Sequence, residues 1–142
     1  MIGKPYARLE VGDTSEFSKT ISEADVYMYA GISGDLNPAH INEAYAQGTF
    51  FKHRIAHGML TASFISAVIG MQLPGPGTIY MSQKLNFLAP VRIGDTVTAR
   101  VEVVEKIDDK KRVRLATNCY NQDGTQLISG EAMVSPPRVT AG

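Results

Sequence analysis

The chain has 142 residues, with 14 basic and 14 acidic side chains, so its formal net charge is zero. This balance gives no indication of nucleic acid or an anionic membrane surface as a partner. Hydrophobic residues make up 44% and charged residues 20%, which is typical of one globular domain. The single Cys119 cannot form an intramolecular disulfide, and the N-terminus lacks a basic-then-apolar leader. We therefore expect one domain over residues 1–142, located in the cytoplasm.

The first part of the chain predicts a strand followed by a helix. Residues 15–21 (SEFSKTI) alternate weakly between polar and apolar and indicate the strand. Ser22 begins the helix as its N-cap, because Asp25 stands three residues later as in a capping box. The helix should end at Ser33-Gly34. Its apolar positions share one face that we expect to be buried, namely Val26, Tyr29 and Ala30, with Ile32 as a further candidate.

Residues 34–46 (GDLNPAHINEAYA) combine a helix start with two groups that can exchange protons. Asn37 followed by Pro38 predicts an N-terminus, because Asn caps helices and Pro fits the first helical position. His40 then lies in the first turn and Asp35 just outside it. A loop that folds back at the cap would bring Asp35 and His40 together. Such a pair can take a proton from water and deliver one.

Residues 55–73 (IAHGMLTASFISAVIGMQL) form a charge-free stretch that is apolar on every side of a helix. Such a helix is either the centre of a folded core or a membrane span, and its length is near the lower limit for a span. Scattered polar groups and the amphipathic strands that follow favour a core helix around which a sheet wraps. The segment LPGPG, residues 73–77, predicts its end, since Pro cannot continue a helix.

Four alternating runs after this helix predict antiparallel strands over residues 78–88, 97–103, 112–120 and 126–134. Alternation with a period of two gives each strand one buried and one wetter face. We expect an α+β fold in which these strands form a four-strand meander. The apolar helix should lie in its concave side, with the first strand at the margin. Residues 136–142 are expected to be a frayed tail.

Four segments resemble the MaoC-like hydratases, also called hydratase 2: YAGISGDLNPAH (29–40), AHGML (56–60), PGPGTIY (74–80) and LNFLAPVRIGDTV (85–97). The resemblance covers most of the chain, and GDxNPxH followed by HGM is a specific combination. It implies a hot-dog fold, in which an antiparallel sheet wraps around a long apolar central helix. The short single-domain form is most similar to the (R)-specific enoyl-CoA hydratases that feed polyhydroxyalkanoate synthesis.

This resemblance implies a hydro-lyase that adds water reversibly to a trans-2-enoyl-CoA thioester and forms the (R)-3-hydroxyacyl-CoA. Asp35 and His40 fall on the family's catalytic positions and would hold one water between them. The backbone amide of Gly58 would hold the thioester carbonyl, since a helix N-terminus offers free amides and a positive dipole. Asn37 and Ser66 are carried over as supporting groups. No metal or redox cofactor is implied, and coenzyme A enters only as part of the substrate.

An acyl chain needs an apolar slot, which the central helix and the inner face of the sheet can supply. The candidates for setting its depth are Ile65, Ile69 and Leu73 on the helix, or Met133 on the last strand. A single sheet of this kind leaves one edge unpaired, and members of the family pair two subunits there. The resemblance therefore implies a homodimer that takes an acyl-CoA thioester, with no nucleic acid or membrane as partner.

Three other functions stay open at this point. The first is the dehydratase reaction on acyl-carrier-protein thioesters in fatty-acid synthesis, which uses the same residues in the reverse direction. The second is a hot-dog thioesterase, whose chemistry also needs a carboxylate and a helix-end amide. The third is a non-catalytic module that binds acyl-CoA, against which the intact Asp35 and His40 argue.

Several further residues have both a functional and a structural interpretation. His53 and His57 are four residues apart, but a metal site needs a third ligand that the sequence does not place. We expect His57 to order the start of the central helix instead. Lys52 and Arg54 could attract coenzyme A phosphates, although solvation at the surface is the expectation. Cys119 has no obvious activating histidine and is expected to pack in the core.

Overall fold

The computed structural model describes residues 2–138. One five-stranded antiparallel sheet packs against one long helix, and three shorter helices join the first strand to that helix. A 3₁₀ turn over Tyr6–Arg8 precedes them. The elements in chain order are β1 (Thr14–Thr20), α1 (Glu23–Ser33), α2 (Pro38–Ile41), α3 (Glu43–Gln47), α4 (Gly58–Met71), β2 (Ile79–Phe87), β3 (Thr96–Ile107), β4 (Arg112–Tyr120) and β5 (Gln126–Ser135).

The strand order in the sheet is β1-β3-β4-β5-β2. The expectation of β1 at the margin is confirmed, but the four-strand meander is wrong for β2. This strand pairs with β5 at the opposite edge and does not pair with β3. The reason lies in residues 88–95, which do not make a tight turn. Val91 in this connection is buried, and its carbonyl accepts from the amide of Ala56 at 2.7 Å, so the chain passes the start of α4 before β3 begins.

Helix α4 spans 14 residues and is therefore shorter than the apolar stretch that predicts it. Its buried face packs on β1, β3 and β4 and is formed by Leu60, Thr61, Ala62, Phe64, Ile65, Val68 and Ile69. Burying each large apolar side chain stabilises the fold by about 1.5–3 kcal/mol. The alternation of β3 is confirmed, because its odd-numbered positions from Val97 to Val103 form the facing wall of the core.

The expectation that α4 is buried all round is wrong for one stripe. Met59, Ser63, Ser66 and Gly70 are exposed, and their spacing of four, three and four residues places them on one face. We call these four residues the exposed stripe of α4. Within residues 2–138, no helix is long and apolar enough to cross a bilayer.

The capping box that the sequence predicts at the start of α1 is present. The Ser22 side chain accepts from the Asp25 amide, and the Asp25 carboxylate accepts from the Ser22 amide. The helix ends at Gly34, whose φ of 83° is a left-handed conformation that glycine adopts without a steric cost. Val26 and Ala30 are buried as expected, but Ile32 is 79% exposed. Two residues beyond Ala30, a helical side chain has turned to the opposite face.

The frayed tail predicted for residues 136–142 is wrong at its beginning. Pro136 and Pro137 are buried, and Pro137 lies so close to Gly77 that a Cβ there would meet it at 2.8 Å. The end of β5 is thus followed by packed chain as far as Pro137. Residues 139–142 lie outside the described part of the chain.

Candidate active site

A cavity of about 460 Å³ lies between the start of α4, the 87–91 segment and residues from the part of the chain before α4. Three polar side chains line it, those of Asp35, His40 and His57, and Gly58 completes this wall. The remaining lining is mostly apolar and comes from Phe51, residues 55–59, residues 87–91 and residues 127–128. Sites that bind small molecules usually have this kind of lining, in which a few polar groups stand on an apolar wall.

The loop between α1 and α2 holds Asp35 by its backbone amide and by its side chain. Its amide donates to Ser33 Oγ at 3.1 Å, and its carboxylate Oδ1 accepts from the Asn37 amide at 3.1 Å. Asn37 in turn caps α2, because its Oδ1 accepts from the Ala39 amide at 3.0 Å. The predicted Asn-Pro helix start is therefore confirmed. This folded-back loop brings the Asp35 carboxylate and the His40 ring together, with candidate ligand atoms within 4.8 Å of each other.

One tautomer of His40 follows from its hydrogen bond. The ring Nδ1 lies 2.7 Å from the carbonyl oxygen of Ile55. Because a carbonyl can only accept, Nδ1 carries a hydrogen and Nε2 is the nitrogen left to exchange a proton. His40 thus lines the cavity beside Asp35 with one nitrogen fixed to the backbone and one available for chemistry.

His57 lies at the start of α4 as expected, where it is the N-cap, and it is only 2% exposed. Its place in the cavity beside Asp35 and His40 was not predicted from the sequence. Its Nε2 lies 3.0 Å from the carbonyl oxygen of Asp35, and its ring stacks on that of His40 with a centroid distance of 3.9 Å. Burial lowers the pKa of His57 below its usual range, although the Asp35 carbonyl partly opposes this shift. The only sequence signal was the short spacing between His40 and the HGM segment.

Asp35, His40 and His57 could in principle hold a metal ion, since candidate ligand atoms of all three lie within 4.8 Å of each other. Each histidine uses one nitrogen on a backbone carbonyl, which leaves the other nitrogen of each ring for a ligand. The two rings, however, are tilted by only 29°, so the lone pairs of these remaining nitrogens lie in nearly parallel planes. A tetrahedral ion needs ligands that converge on one point. His53 does not join this cluster, because it pairs with Glu43 at 3.0 Å.

Gly58 is the first residue of α4, and amides in a first helical turn have no partner within the helix. A Cβ at this position would meet two ring carbons of Phe87 at 2.7 Å. The close approach that glycine allows here is therefore that of the Phe87 ring, which also lines the cavity. The expectation that Gly58 makes room for the substrate remains a prediction.

Other residues predicted for the site lie outside the lining of this cavity. Ser66 belongs to the exposed stripe of α4. Ile65, Ile69 and Leu73 are packed in the core, at most 2% exposed, and Met133 is half-buried on β5. The single chain therefore brings Asp35, His40 and Gly58 together but does not bring these five residues to them. Their roles stay predictions.

Arg54 holds the segment that carries Ile55 and His57. Its guanidinium pairs with Glu23 on α1 and with Glu43 on α3, and it also donates to the Tyr27 hydroxyl at 2.9 Å. The Arg54 side chain is only 15% exposed, so these are not freely solvated ion pairs. Arg54 is therefore committed to partners within the chain and not to solvent, contrary to the surface solvation that the sequence suggests.

An antiparallel sheet on one long helix, with an Asp–His pair at the helix N-terminus, defines an α+β protein of the hot-dog class. The chain belongs to the MaoC-like domain family, whose pattern matches residues 8–123. It is 57% identical to an (R)-specific enoyl-CoA hydratase of Rhodospirillum rubrum, over 93% of this chain and 91% of that relative. It is 52% identical to a 3-hydroxybutyryl-CoA dehydratase of Methylorubrum extorquens, over 94% and 84%. The unliganded R-hydratase of Pseudomonas aeruginosa superposes with a TM-score of 0.91 at 48% identity, over 99% and 92%.

Proposed function

We propose that this chain is an (R)-specific enoyl-CoA hydratase, which adds water reversibly to trans-2-enoyl-CoA and forms (R)-3-hydroxyacyl-CoA. The observation that carries the proposal is the pairing of Asp35 and His40 at one apolar cavity beside the first turn of α4. Two relatives named as (R)-specific enoyl-CoA hydratases match over more than nine-tenths of the chain, at 57% and 45% identity. We also infer a cytoplasmic location, which fits the single buried thiol of Cys119.

The reaction needs one water held between the Asp35 carboxylate and His40 Nε2. Asp35 accepts a proton from this water as its oxygen forms the bond to C3, and the π electrons move toward the thioester carbonyl. The enolate oxygen that develops is stabilised by the Gly58 amide at the positive end of α4. His40 enters the reaction as the imidazolium, with a hydrogen on each ring nitrogen, and donates the Nε2 proton to C2 as it becomes neutral. The proton on Asp35 then passes through solvent to His40 Nε2, which restores the starting state of both groups. Because both groups lie at one cavity, the water adds to one face of the double bond.

The test is turnover of crotonyl-CoA by the purified chain. We expect loss of enoyl absorbance without release of free thiol, and an (R)-configured product on chiral chromatography. The thiol reagent DTNB can monitor hydrolysis directly, because Cys119 is buried and burial raises its pKa to about 12. Thiol release that matches the loss of substrate would instead identify a thioesterase. Faster turnover of the crotonyl thioester of acyl carrier protein would identify the carrier-protein dehydratase.

The depth of the acyl slot is assigned to the α4 side chains behind Gly58, with Ile69 as the first residue to test. Ile69→Ala should shift the preference among C4 to C12 enoyl-CoAs toward longer chains, because it opens space in the apolar wall. Truncation of a core isoleucine costs about 2–5 kcal/mol of unfolding free energy, so urea unfolding is measured alongside. Leu115→Ala on β4 is the control for a core truncation outside α4. An unchanged chain-length profile would remove Ile69 from the slot.

We further propose that the chain forms a homodimer through the β2 edge. This edge strand exposes Ile79, Tyr80 and Met81, each at least 39% accessible, and exposed apolar edges are templates for further pairing. Sedimentation should give a species of twice the chain mass of 15.4 kDa. A charge on the edge, as in Met81→Lys, should lower the dimer fraction. Monomer at all concentrations would contradict the proposal.

A further inference from the structure

We propose that His57 is a positioning residue that holds the backbone of Asp35 and the ring of His40 in place for the reaction. This inference rests on the proposed hydratase function. It is carried by three contacts that one buried imidazole makes with three parts of the site. Each contact reaches a different functional group, and each has its own physical basis.

The first contact is the hydrogen bond between His57 Nε2 and the carbonyl oxygen of Asp35, 3.0 Å long and spanning 22 residues of sequence. Because a carbonyl only accepts, the hydrogen is on Nε2. Asp35 stands in an exposed loop, where its own side chain and the Ser33 hydroxyl supply only local bonds. The bond to His57 is therefore what ties this loop to the start of the core helix.

The second contact is a stack of two imidazole rings, with a tyrosine ring tilted against the outer one. The His57 ring packs on His40 at 3.9 Å with a tilt of 29°, and the Tyr29 ring packs on His57 at 4.7 Å. His40 is otherwise held at its ring by the single bond from Nδ1 to Ile55. One hydrogen bond leaves the ring free to rotate about its direction, and a flat neighbour removes that freedom. The stack therefore fixes the plane in which His40 Nε2 meets the water.

The third contact is covalent, since His57 is the N-cap that directly precedes Gly58. The plane of the 57–58 peptide sets where the Gly58 amide points. A shift of residue 57 as a whole, backbone and ring, would thus move all three groups of the proposed site together. Misplacement of reacting groups by about 1 Å can cost 10²-fold in rate.

The environment of His57 also keeps the ring neutral. Its Nδ1 is buried and has no hydrogen-bond partner within residues 2–138. The charged or titratable groups nearest to it are His40, Asp35 and the Tyr29 hydroxyl-bearing ring, and burial is the main cause of its lowered pKa. A neutral neighbour matters, because a second positive charge stacked at 3.9 Å would disfavour the imidazolium form from which His40 donates its proton.

Two substitutions separate the contacts. His57→Phe keeps a flat ring but loses the donor to Asp35, whereas His57→Gln keeps a donor but loses the ring. We expect each to lower kcat on crotonyl-CoA by about 10-fold or more, with KM changed less than about threefold. His53→Phe and His53→Gln are matched controls, because His53 is exposed and bonded to Glu43, and they should retain wild-type kcat.

A merely structural role and a positioning role differ in the Asp35→Asn background, where the bond that His57→Phe removes no longer positions a base. There, His57→Phe should cost less than about twofold further, because residues that act as one unit are not additive. A kcat within twofold of wild type for both single variants would overturn the inference, as would a rise in KM alone. Wild-type protein that does not hydrate crotonyl-CoA would instead refute the proposed function itself.

If the variants do not fold, nitrogen NMR of the wild-type imidazoles gives an independent test. At neutral pH, His57 should show the tautomer with hydrogen on Nε2. On acidification it should stay neutral below the pH at which a free imidazole takes up a proton, because burial lowers its pKa. A hydrogen on Nδ1, or protonation of His57 at the pH of a free imidazole, would overturn the inference.

Discussion

Replacing Asp35 with Asn is expected to lower kcat on crotonyl-CoA by at least about 100-fold, the scale of a lost general base. The carboxamide cannot accept the proton that the water loses when its oxygen attacks C3. The substitution should leave the loop intact, because an Asn Oδ1 can still accept from the Asn37 amide, as the Asp35 Oδ1 does at 3.1 Å. Steady-state kinetics and a thermal melt on the same preparation measure both quantities.

The matched control is Asp123→Asn. Asp123 lies in the exposed turn between β4 and β5, away from the cavity lining, and its amide bonds to Asn121 Oδ1 at 2.9 Å. This control should keep wild-type kcat and a similar melting temperature. If Asp35→Asn retained nearly full activity, Asp35 would not be the base. A low kcat accompanied by a collapsed melting temperature would indicate a fold defect, which circular dichroism would reveal.

Replacing His40 with Gln is expected to reduce kcat by a similar factor of at least about 100. A Gln amide can still donate to the Ile55 carbonyl, so a hydrogen bond of the same type can form at this place. It cannot give a proton to C2 at neutral pH, because a carboxamide does not ionise there. Exchange of deuterium from solvent into C2 of the acyl chain reports on this step directly, and it should slow in parallel with hydration.

His53→Gln serves as the control for His40→Gln, since it removes an exposed imidazole bound to Glu43. The two variants together distinguish loss of a particular proton donor from loss of any histidine. Deuterium incorporation at the wild-type rate in His40→Gln would place the acid elsewhere. The ring stacked on it, His57, would then be the next candidate.

Local signals in the sequence predicted the local parts of the site. The capping box of Ser22 and Asp25, and the Asn37-Pro38 start of α2, depend on residues within four positions of each other. The return of the loop that places Asp35 near His40 follows from the same short-range rules. These features could be predicted because their hydrogen bonds close within one turn.

Long-range features could not be predicted in the same way. The position of β2 at the far edge depends on the path of residues 88–95 past α4, which no periodicity in β2 encodes. The exposed stripe of α4 consists of small or apolar residues, so the sequence resembles that of a helix covered on every side. The contact of His57 with the Asp35 carbonyl joins a helix N-cap to a loop 22 residues earlier. These two groups come within hydrogen-bonding distance only in the folded chain.

The bond from His40 Nδ1 to the Ile55 carbonyl bears on which way the reaction runs in a cell. With that nitrogen committed, the proposed mechanism requires every proton that His40 delivers or recovers to pass through Nε2, in hydration and elimination alike. In this mechanism the protein has no second proton path that would favour one direction. Net flux would follow the relative supply of the unsaturated and hydroxylated thioesters, so neighbouring enzymes that deliver one or remove the other would decide whether this chain makes or consumes the alcohol.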